Sequence, residues 1–214
     1  MKSFLIIGMG KFGHHLCNYL SELNNEIMVI DELAEKVEDV VDIVTSAKIG
    51  DCTKTDVLKT LGVETFDTCF VCISDNFQNS LEITYNLYEM GAKQIIALAS
   101  TDIHSKFLLR NGANKVIYPE RDMANKLSKS ISNDNIFDYL ELGEEYSIME
   151  IKCPKFWLNK TAVDLNIRAK YNINIIAIKK ENGKIKMPGI DYKFCEQDHL
   201  IVMGKYNDIK KILI

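Results

Sequence analysis

The sequence predicts an α/β fold, a doubly wound parallel sheet, followed by a small α+β domain. Three observations carry that expectation. Short apolar runs alternate with amphipathic, helix-period segments from Phe4 to Tyr118. A glycine-rich turn, Gly8-Met9-Gly10-Lys11-Phe12-Gly13, stands between the first run and the first helical segment. Beyond Gly143 the alternation stops, and strand-like segments follow one another with a hairpin signal at Glu181-Asn182-Gly183.

The predicted strands of the first part are Phe4 to Ile7, Ile27 to Ile30, Ile43 to Ala47, Thr68 to Ile73, Gln94 to Ala99 and Lys115 to Tyr118. Helical periodicity fills the segments between, at Lys11 to Leu23, Lys54 to Leu61, Asn76 to Met90 and Ile103 to Asn111. Strands joined by helices imply parallel βαβ units and a sheet covered on both faces, the Rossmann-like layout. Arg121 to Ile131 reads as one more helix, ending at Ser132-Asn133-Asp134-Asn135, and Ile136 to Leu140 as a short helical turn. A strand at Ile148 to Ile151, a helix near Thr161 to Leu165 and a strand at Ile173 to Ile178 follow. The Asn182-Gly183 pair predicts a type I′ turn into Lys184 to Met187, after which come a strand at His199 to Met203 and a helix at Tyr206 to Leu213. Domains are expected at residues 1–135 and 136–214, joined by a linker near 133–143.

Composition narrows the function classes. The 214 residues carry 26 Lys and Arg against 30 Asp and Glu, a net charge of −4, which argues against a protein built to coat nucleic acid. No apolar stretch approaches the roughly 18 residues of a membrane span, and the N-terminus enters a strand pattern without a cleavage-site signature, so a cytosolic protein is expected. The charge is uneven: residues 1–140 hold 13 basic and 20 acidic side chains, residues 141–214 hold 13 and 10. The smaller domain therefore tolerates an anionic ligand better. The six cysteines are scattered; Cys69 and Cys72 form the one close pair, on a predicted strand that turns them to opposite faces, so buried inert thiols are expected rather than a metal or redox site.

Position gives the glycine pattern its weight. Gly8 permits the tight turn, Gly10 lets backbone approach a pyrophosphate, and Gly13 lets the helix pack closely on the strand. Free N–H groups at the helix N-terminus face the phosphates. Asp31, ending the second strand, is placed to accept hydrogen bonds from both ribose hydroxyls, and no arginine stands beside it to receive a 2′-phosphate. NADP is therefore disfavoured, leaving ATP, ADP, AMP or NAD(H). Asp51 and the run Ser74-Asp75-Asn76 fall at the carboxyl edge of the sheet, where Asp75 and Asn76 either line the crevice or cap the next helix.

Catalysis is not indicated. A dehydrogenase needs a second domain that sets a substrate and an acid or base against the nicotinamide. The four histidines, His14, His15, His104 and His199, show no catalytic pairing, and no G-x-x-x-x-G-K-[ST] loop occurs. Binding without turnover is the expectation, with an NAD-dependent oxidoreductase as the rival class.

These residues bring a family into view. GMGKFG, Asp31 followed by Glu35-Lys36-Val37, Gly50-Asp51, HSKFLLRNGANKVIYPERDMANKL, DLNIRAKYNINIIAI and DHLIVMG together resemble the regulatory subunits of Ktr/Trk potassium uptake systems. In that family an RCK-N (KTN) domain precedes a small RCK-C domain, and the resemblance covers essentially the whole chain.

The resemblance implies a cytoplasmic subunit lying at the inner face of the cell membrane, docked on a membrane-embedded potassium-translocating subunit. It implies homodimers building an octameric ring whose shape responds to ATP and ADP. Nucleotide contacts would fall on Gly8, Gly10, Lys11, Phe12, Gly13, Asp31, Asp51 and Ser74, with Lys11 reaching the terminal phosphate in a neighbouring subunit. Glu120 would help hold a divalent cation such as Mg2+ near that phosphate. Lys11 replaces the arginine usual in close relatives, keeping the charge but losing the bidentate fork, so weaker ATP-over-ADP discrimination is expected. In the smaller domain the resemblance implies a cyclic di-AMP site at Ala162, Val163, Arg168, Asn174 and Ile175. A surface ion-pairing Arg168 is the alternative there.

Overall fold

The computed structural model describes residues 1–143 and 145–213. They fall into two compact units, 1–120 and 121–214.

The first unit holds β1 (Ser3–Ile7), α1 (Lys11–Glu22), β2 (Glu26–Asp31), α2 (Ala34–Glu38), β3 (Ser46–Ile49) and α3 (Thr55–Lys59). It continues through β4 (Thr68–Val71), α4 (Phe77–Glu89), β5 (Ile95–Leu98), α5 (Asp102–Arg110) and β6 (Lys115–Ile117). Every strand pair is parallel, in the order β3-β2-β1-β4-β5-β6. The order reverses between β1 and β4, which places the ligand crevice of such sheets at the end of β1. Period-two alternation divides each strand between two cores. Leu5 and Ile7 join Leu58, Ile83 and Leu108 on one face, and Phe4 and Ile6 join Cys17, Ile27 and Phe70 on the other. Cys69 and Cys72 lie in opposite cores for the same reason.

The third strand runs over Ser46–Ile49, not Ile43 to Ala47, because Val41–Ile43 is spent on a 3-10 turn that seats Val40 in the core. β3 then pairs with β2 from Met28 opposite Ser46.

The second unit takes nearly all of α6 (Pro119–Ile131), then β7 (Ile136–Leu142), β8 (Tyr146–Lys152), α7 (Ile167–Tyr171), β9 (Ile173–Lys179), β10 (Ile185–Lys186), β11 (His199–Lys205) and α8 (Tyr206–Lys211). Its antiparallel sheet has the order β10-β9-β11-β8-β7 and encloses a core centred on Trp157, Phe194, Leu200 and Val202. Lys126 pairs with Asp138 at 3.0 Å, and the Lys129 ammonium donates to the Tyr139 hydroxyl at 2.8 Å, so α6 is fastened to β7.

Four expectations for this half are corrected. Ile136 to Leu140 is a strand rather than a helical turn, and it occupies the segment read as a linker. A bulge at Phe137 sets buried Ile136 and Tyr139 three apart, a spacing that imitates a helix face. The helix near Thr161 to Leu165 is a turn closed by Thr161 N–H to Asp164 Oδ2 at 2.9 Å and Asp164 N–H to Thr161 Oγ at 3.1 Å. The helix itself starts at Ile167, between Asn166 and Asn172, both left-handed with φ of 46° and 56°. The hairpin turn is not type I′, since Gly183 has a positive φ and Asn182 does not.

Candidate functional site

The turn after β1 is built by steric necessity. Gly8 holds φ +93°, and a Cβ on Gly13 would lie 2.2 Å from the Gly8 carbonyl oxygen, so only glycine lets α1 start this close to the strand. Gly10 differs: a Cβ there meets nothing within 4 Å. It is the N-cap of α1 without a side-chain cap, so the first-turn N–H groups are left for an anion.

Asp31 ends β2 against this turn and is 8% exposed. Its Oδ2 accepts from Met9 N–H at 2.7 Å and its Oδ1 from Leu33 N–H at 2.9 Å. The carboxylate therefore fixes the glycine turn and the entry to α2 while keeping further lone pairs for a ribose diol. Asp51 is held differently. Its Oδ1 accepts from the Thr53 hydroxyl at 2.6 Å and from Thr53 N–H at 3.0 Å, and these bonds, with Lys54 nearby, lower its pKa.

Gly8, Asp31 and Asp51 line one cleft of about 180 Å³ together with Lys36, Cys52, Asp75 and Asn76. Asn76 both lines the cleft and caps α4, accepting from Asn79 N–H at 3.0 Å. Gly10 stands at the helix start, open to solvent space. Ser74 is half-buried and lies between two lining residues, Ile73 and Asp75, without lining the cleft itself. Phe12 packs into the core beside Leu16 and Cys17. Lys11 and Glu120 are exposed and outside the cleft. Sequence reasoning missed Glu32, Lys36, Cys52, Thr53 and Asn79; the signal for Lys36 was its place one helical turn into the segment after Asp31.

An adenine nucleotide fits these residues: open backbone N–H groups for phosphate, a positioned carboxylate for ribose, and Ile7, Ile30 and Ile73 as apolar lining. Among the described residues no group of His, Cys, Asp or Glu is arranged to hold a metal ion by itself.

In the second unit, Ala162, Val163, Arg168, Asn174 and Ile175 all line one groove of about 310 Å³, with Ile167, Ile173, Pro188, Gly189 and Ile190. Arg168 Nε donates to Asn174 Oδ1 at 2.6 Å, which joins two polar side chains of the lining. Pro188 and Gly189 were not anticipated, although a Pro-Gly pair marks a turn wherever it occurs.

His199 and His104 are engaged structurally. His199 Nδ1 lies 2.7 Å from Glu150 and its ring stacks on Phe137 at 4.0 Å. His104 is fully buried against Phe77, and burial lowers its pKa.

Comparison with known proteins matches these two halves to two domain models, TrkA-N over residues 4–119 and TrkA-C over residues 149–213. The Ktr system potassium uptake protein C of Bacillus subtilis (strain 168) is 41% identical over 98% of this chain and 95% of its own. The chain belongs to the Ktr/Trk potassium uptake family. The Ktr system potassium uptake protein A of the same organism is 36% identical, again over 98% of this chain and 95% of its own. Among solved structures, the GsuK RCK domain superposes with a TM-score of 0.68 at 18% identity, covering 99% of this chain and 47% of that one. The GsuK channel bound to NAD gives 0.73 at 17% identity, covering 100% and 39%. This chain thus spans less than half of those GsuK chains, and the likeness to them is one of fold. The cleft lies in the TrkA-N domain and the groove in the TrkA-C domain of this family member. Among the described residues no helix is long and apolar enough to cross a membrane.

Proposed function

We propose that the chain is the nucleotide-sensing regulatory subunit of a potassium uptake system, and that it gates a membrane-embedded potassium-translocating subunit from the cytoplasmic face. The single observation that carries this is the pairing of Asp31 with the uncapped Gly8-to-Gly13 turn, in a chain whose Ktr relatives align over almost its whole length. ATP and ADP are the proposed ligands of the cleft. A binding protein without turnover acts only through differential affinity for two arrangements of its subunits. A γ-phosphate supplies that difference when a cation from a neighbour meets it. The exposed Lys11 serves there, and Glu120 with Mg2+ holds the same phosphate.

Assembly as homodimers in an octameric ring is part of the same reading. Met123, Leu127 and Ile131 form an apolar stripe on α6 that is 64%, 55% and 72% exposed, which favours a subunit contact over a core helix. The TrkA-C groove is proposed to take cyclic di-AMP, with Arg168 on a phosphate, Asn174 on phosphate or base, and Ala162, Val163 and Ile175 on the adenine faces. The functional domains of this reading are 1–135 for the nucleotide and 136–214 for the second ligand.

Calorimetry of the full chain with ATP plus Mg2+, ADP, NAD(H), NADP and cyclic di-AMP tests the reading. Binding of ATP and ADP well above NADP is expected, alongside restored potassium uptake when the chain is co-expressed with a Ktr membrane subunit in a potassium-uptake-deficient host. Tight NAD(H) binding with negligible ATP or ADP binding moves the site to the nicotinamide alternative, for which the NAD-bound GsuK channel is a precedent. Hydride transfer to any substrate overturns the regulatory reading.

A further inference from the structure

We infer that Lys36 determines how the cleft reads the ribose end of its nucleotide, and that it narrows the discrimination against a 2′-phosphate that Asp31 alone would impose. The inference rests on the nucleotide reading of the cleft. Four carboxylates line that cleft, those of Asp31, Glu32, Asp51 and Asp75, and among its described lining residues Lys36 is the one Lys or Arg. An anionic ligand entering among four carboxylates meets repulsion unless a cation offsets it.

Lys36 is placed to do so at the ribose. Its Nζ lies 3.9 Å from Asp31 Oδ2, beyond hydrogen-bonding distance, so the ammonium keeps its donors for a ligand. Its side chain is 39% exposed while that of Asp31 is 7% exposed, so the charge sits at the mouth, over the buried carboxylate. Both Asp31 oxygens already accept a backbone N–H, which fixes the face that the carboxylate offers to a ribose diol. A hydroxyl docked on that face lies within reach of Lys36. A phosphate in place of the 2′-hydroxyl meets both the repelling Asp31 and the attracting Lys36. General recognition of 2′-phosphates by a basic residue near the acidic ribose ligand follows the same logic, with arginine the usual residue.

The test compares 5′-ADP with adenosine 2′,5′-bisphosphate by calorimetry on the full chain, for the unaltered protein, Lys36→Ala and Lys36→Arg. Lys36 lies on a short surface helix, so both variants keep the melting temperature, measured alongside. Lys36→Ala is expected to weaken 5′-ADP binding a few-fold. The ratio of the two dissociation constants should widen about two- to fivefold, the upper range for one partly exposed charge contact. Lys36→Arg should restore or narrow the ratio. An unchanged ratio in Lys36→Ala, with 5′-ADP still bound, overturns this inference and leaves the nucleotide reading standing. Failure of the unaltered protein to bind either ligand overturns both.

Discussion

Gly10 and Gly13 stand three residues apart in one motif, yet alanine at each should fail in different ways. At Gly13 the added Cβ would lie 2.2 Å from the Gly8 carbonyl oxygen and 3.3 Å from Cys72 Cβ. The first contact is with backbone and cannot be relieved by a rotamer change, so α1 must move off the end of β1. Overpacking of this kind costs about 1–3 kcal/mol, with a backbone clash at the upper end. Alanine returns about 1 kcal/mol of helix propensity. A net loss of about 2 kcal/mol lowers the melting temperature by roughly 4–8 °C for a chain of this size. At Gly10 the Cβ meets nothing, and the backbone sits at φ −69°, a value open to any residue. The poorer N-cap costs about 1 kcal/mol and the stiffer unfolded chain returns about 0.4–1 kcal/mol, so melting stays within about 2 °C. Its cost falls on the ligand, because the methyl group fills the space a phosphate needs to reach the α1 N–H groups. Losing one charge-assisted hydrogen bond costs about 1.5–3 kcal/mol, or roughly ten- to hundredfold in affinity. Calorimetric melting and ADP titration of both variants decide the matter. Unchanged melting in Gly13→Ala, or unchanged ADP affinity in Gly10→Ala, refutes the steric assignment.

Two further outcomes follow from the rest of the molecule. Burial opposes the charge on Asp198, but bonds from Lys180, Cys195 N–H and Tyr192 outweigh it and hold the carboxyl below its ordinary range. A depressed folded-state pKa gives stability that is complete above the unfolded value of about 4 and is lost as pH falls through the folded value. Asp198→Asn should therefore cost about 3 kcal/mol near neutrality and flatten the acid side of the stability profile, and an equally steep acid limb in the variant contradicts this. Cys195 is the one exposed cysteine, while burial pushes the thiols of Cys52, Cys69, Cys72 and Cys153 up to about 12 and that of Cys17 to about 11. A thiol reagent should label one cysteine rapidly in the native protein and all six in denaturant, and rapid native labelling of Cys69 or Cys72 shows that this strand is not the closed core described.

The parallel sheet was legible because its strands are buried on both faces and so appear as unbroken apolar runs between amphipathic segments. Phe4 to Ile7 is such a run, and its side chains do divide between two cores. The antiparallel half was less legible for local reasons. The bulge at Phe137 broke the alternation that would have marked β7, and two left-handed asparagines, Asn166 and Asn172, delimit a helix that periodicity placed several residues earlier. A single extra residue or a single positive φ redirects an element, and neither leaves a periodic trace.

The same distinction separates the two candidate sites. In the TrkA-N cleft, Gly8, Gly13 and Asp31 stand at positions with a backbone duty that precedes any ligand, a positive φ at Gly8, a close approach at Gly13 and two accepted N–H groups at Asp31, so motif and fold agree there. Lys36 has no such backbone duty, and its relevance emerges only when α2 folds back over Asp31. In the TrkA-C groove, Arg168 and Asn174 lie six residues apart and are joined by one hydrogen bond, whereas Pro188 and Ile190 join the lining from the irregular segment after β10. That segment is held by Tyr192, whose N–H donates to Gly189 O at 3.1 Å and whose hydroxyl donates to the buried Asp198 at 2.8 Å. That part of the lining is thus held by hydrogen bonds that run outside the groove. The family resemblance pointed to Ala162, Val163, Arg168, Asn174 and Ile175, all from the segment that ends in β9, whereas Pro188, Gly189 and Ile190 join the lining only because Tyr192 and Asp198 hold their segment in place.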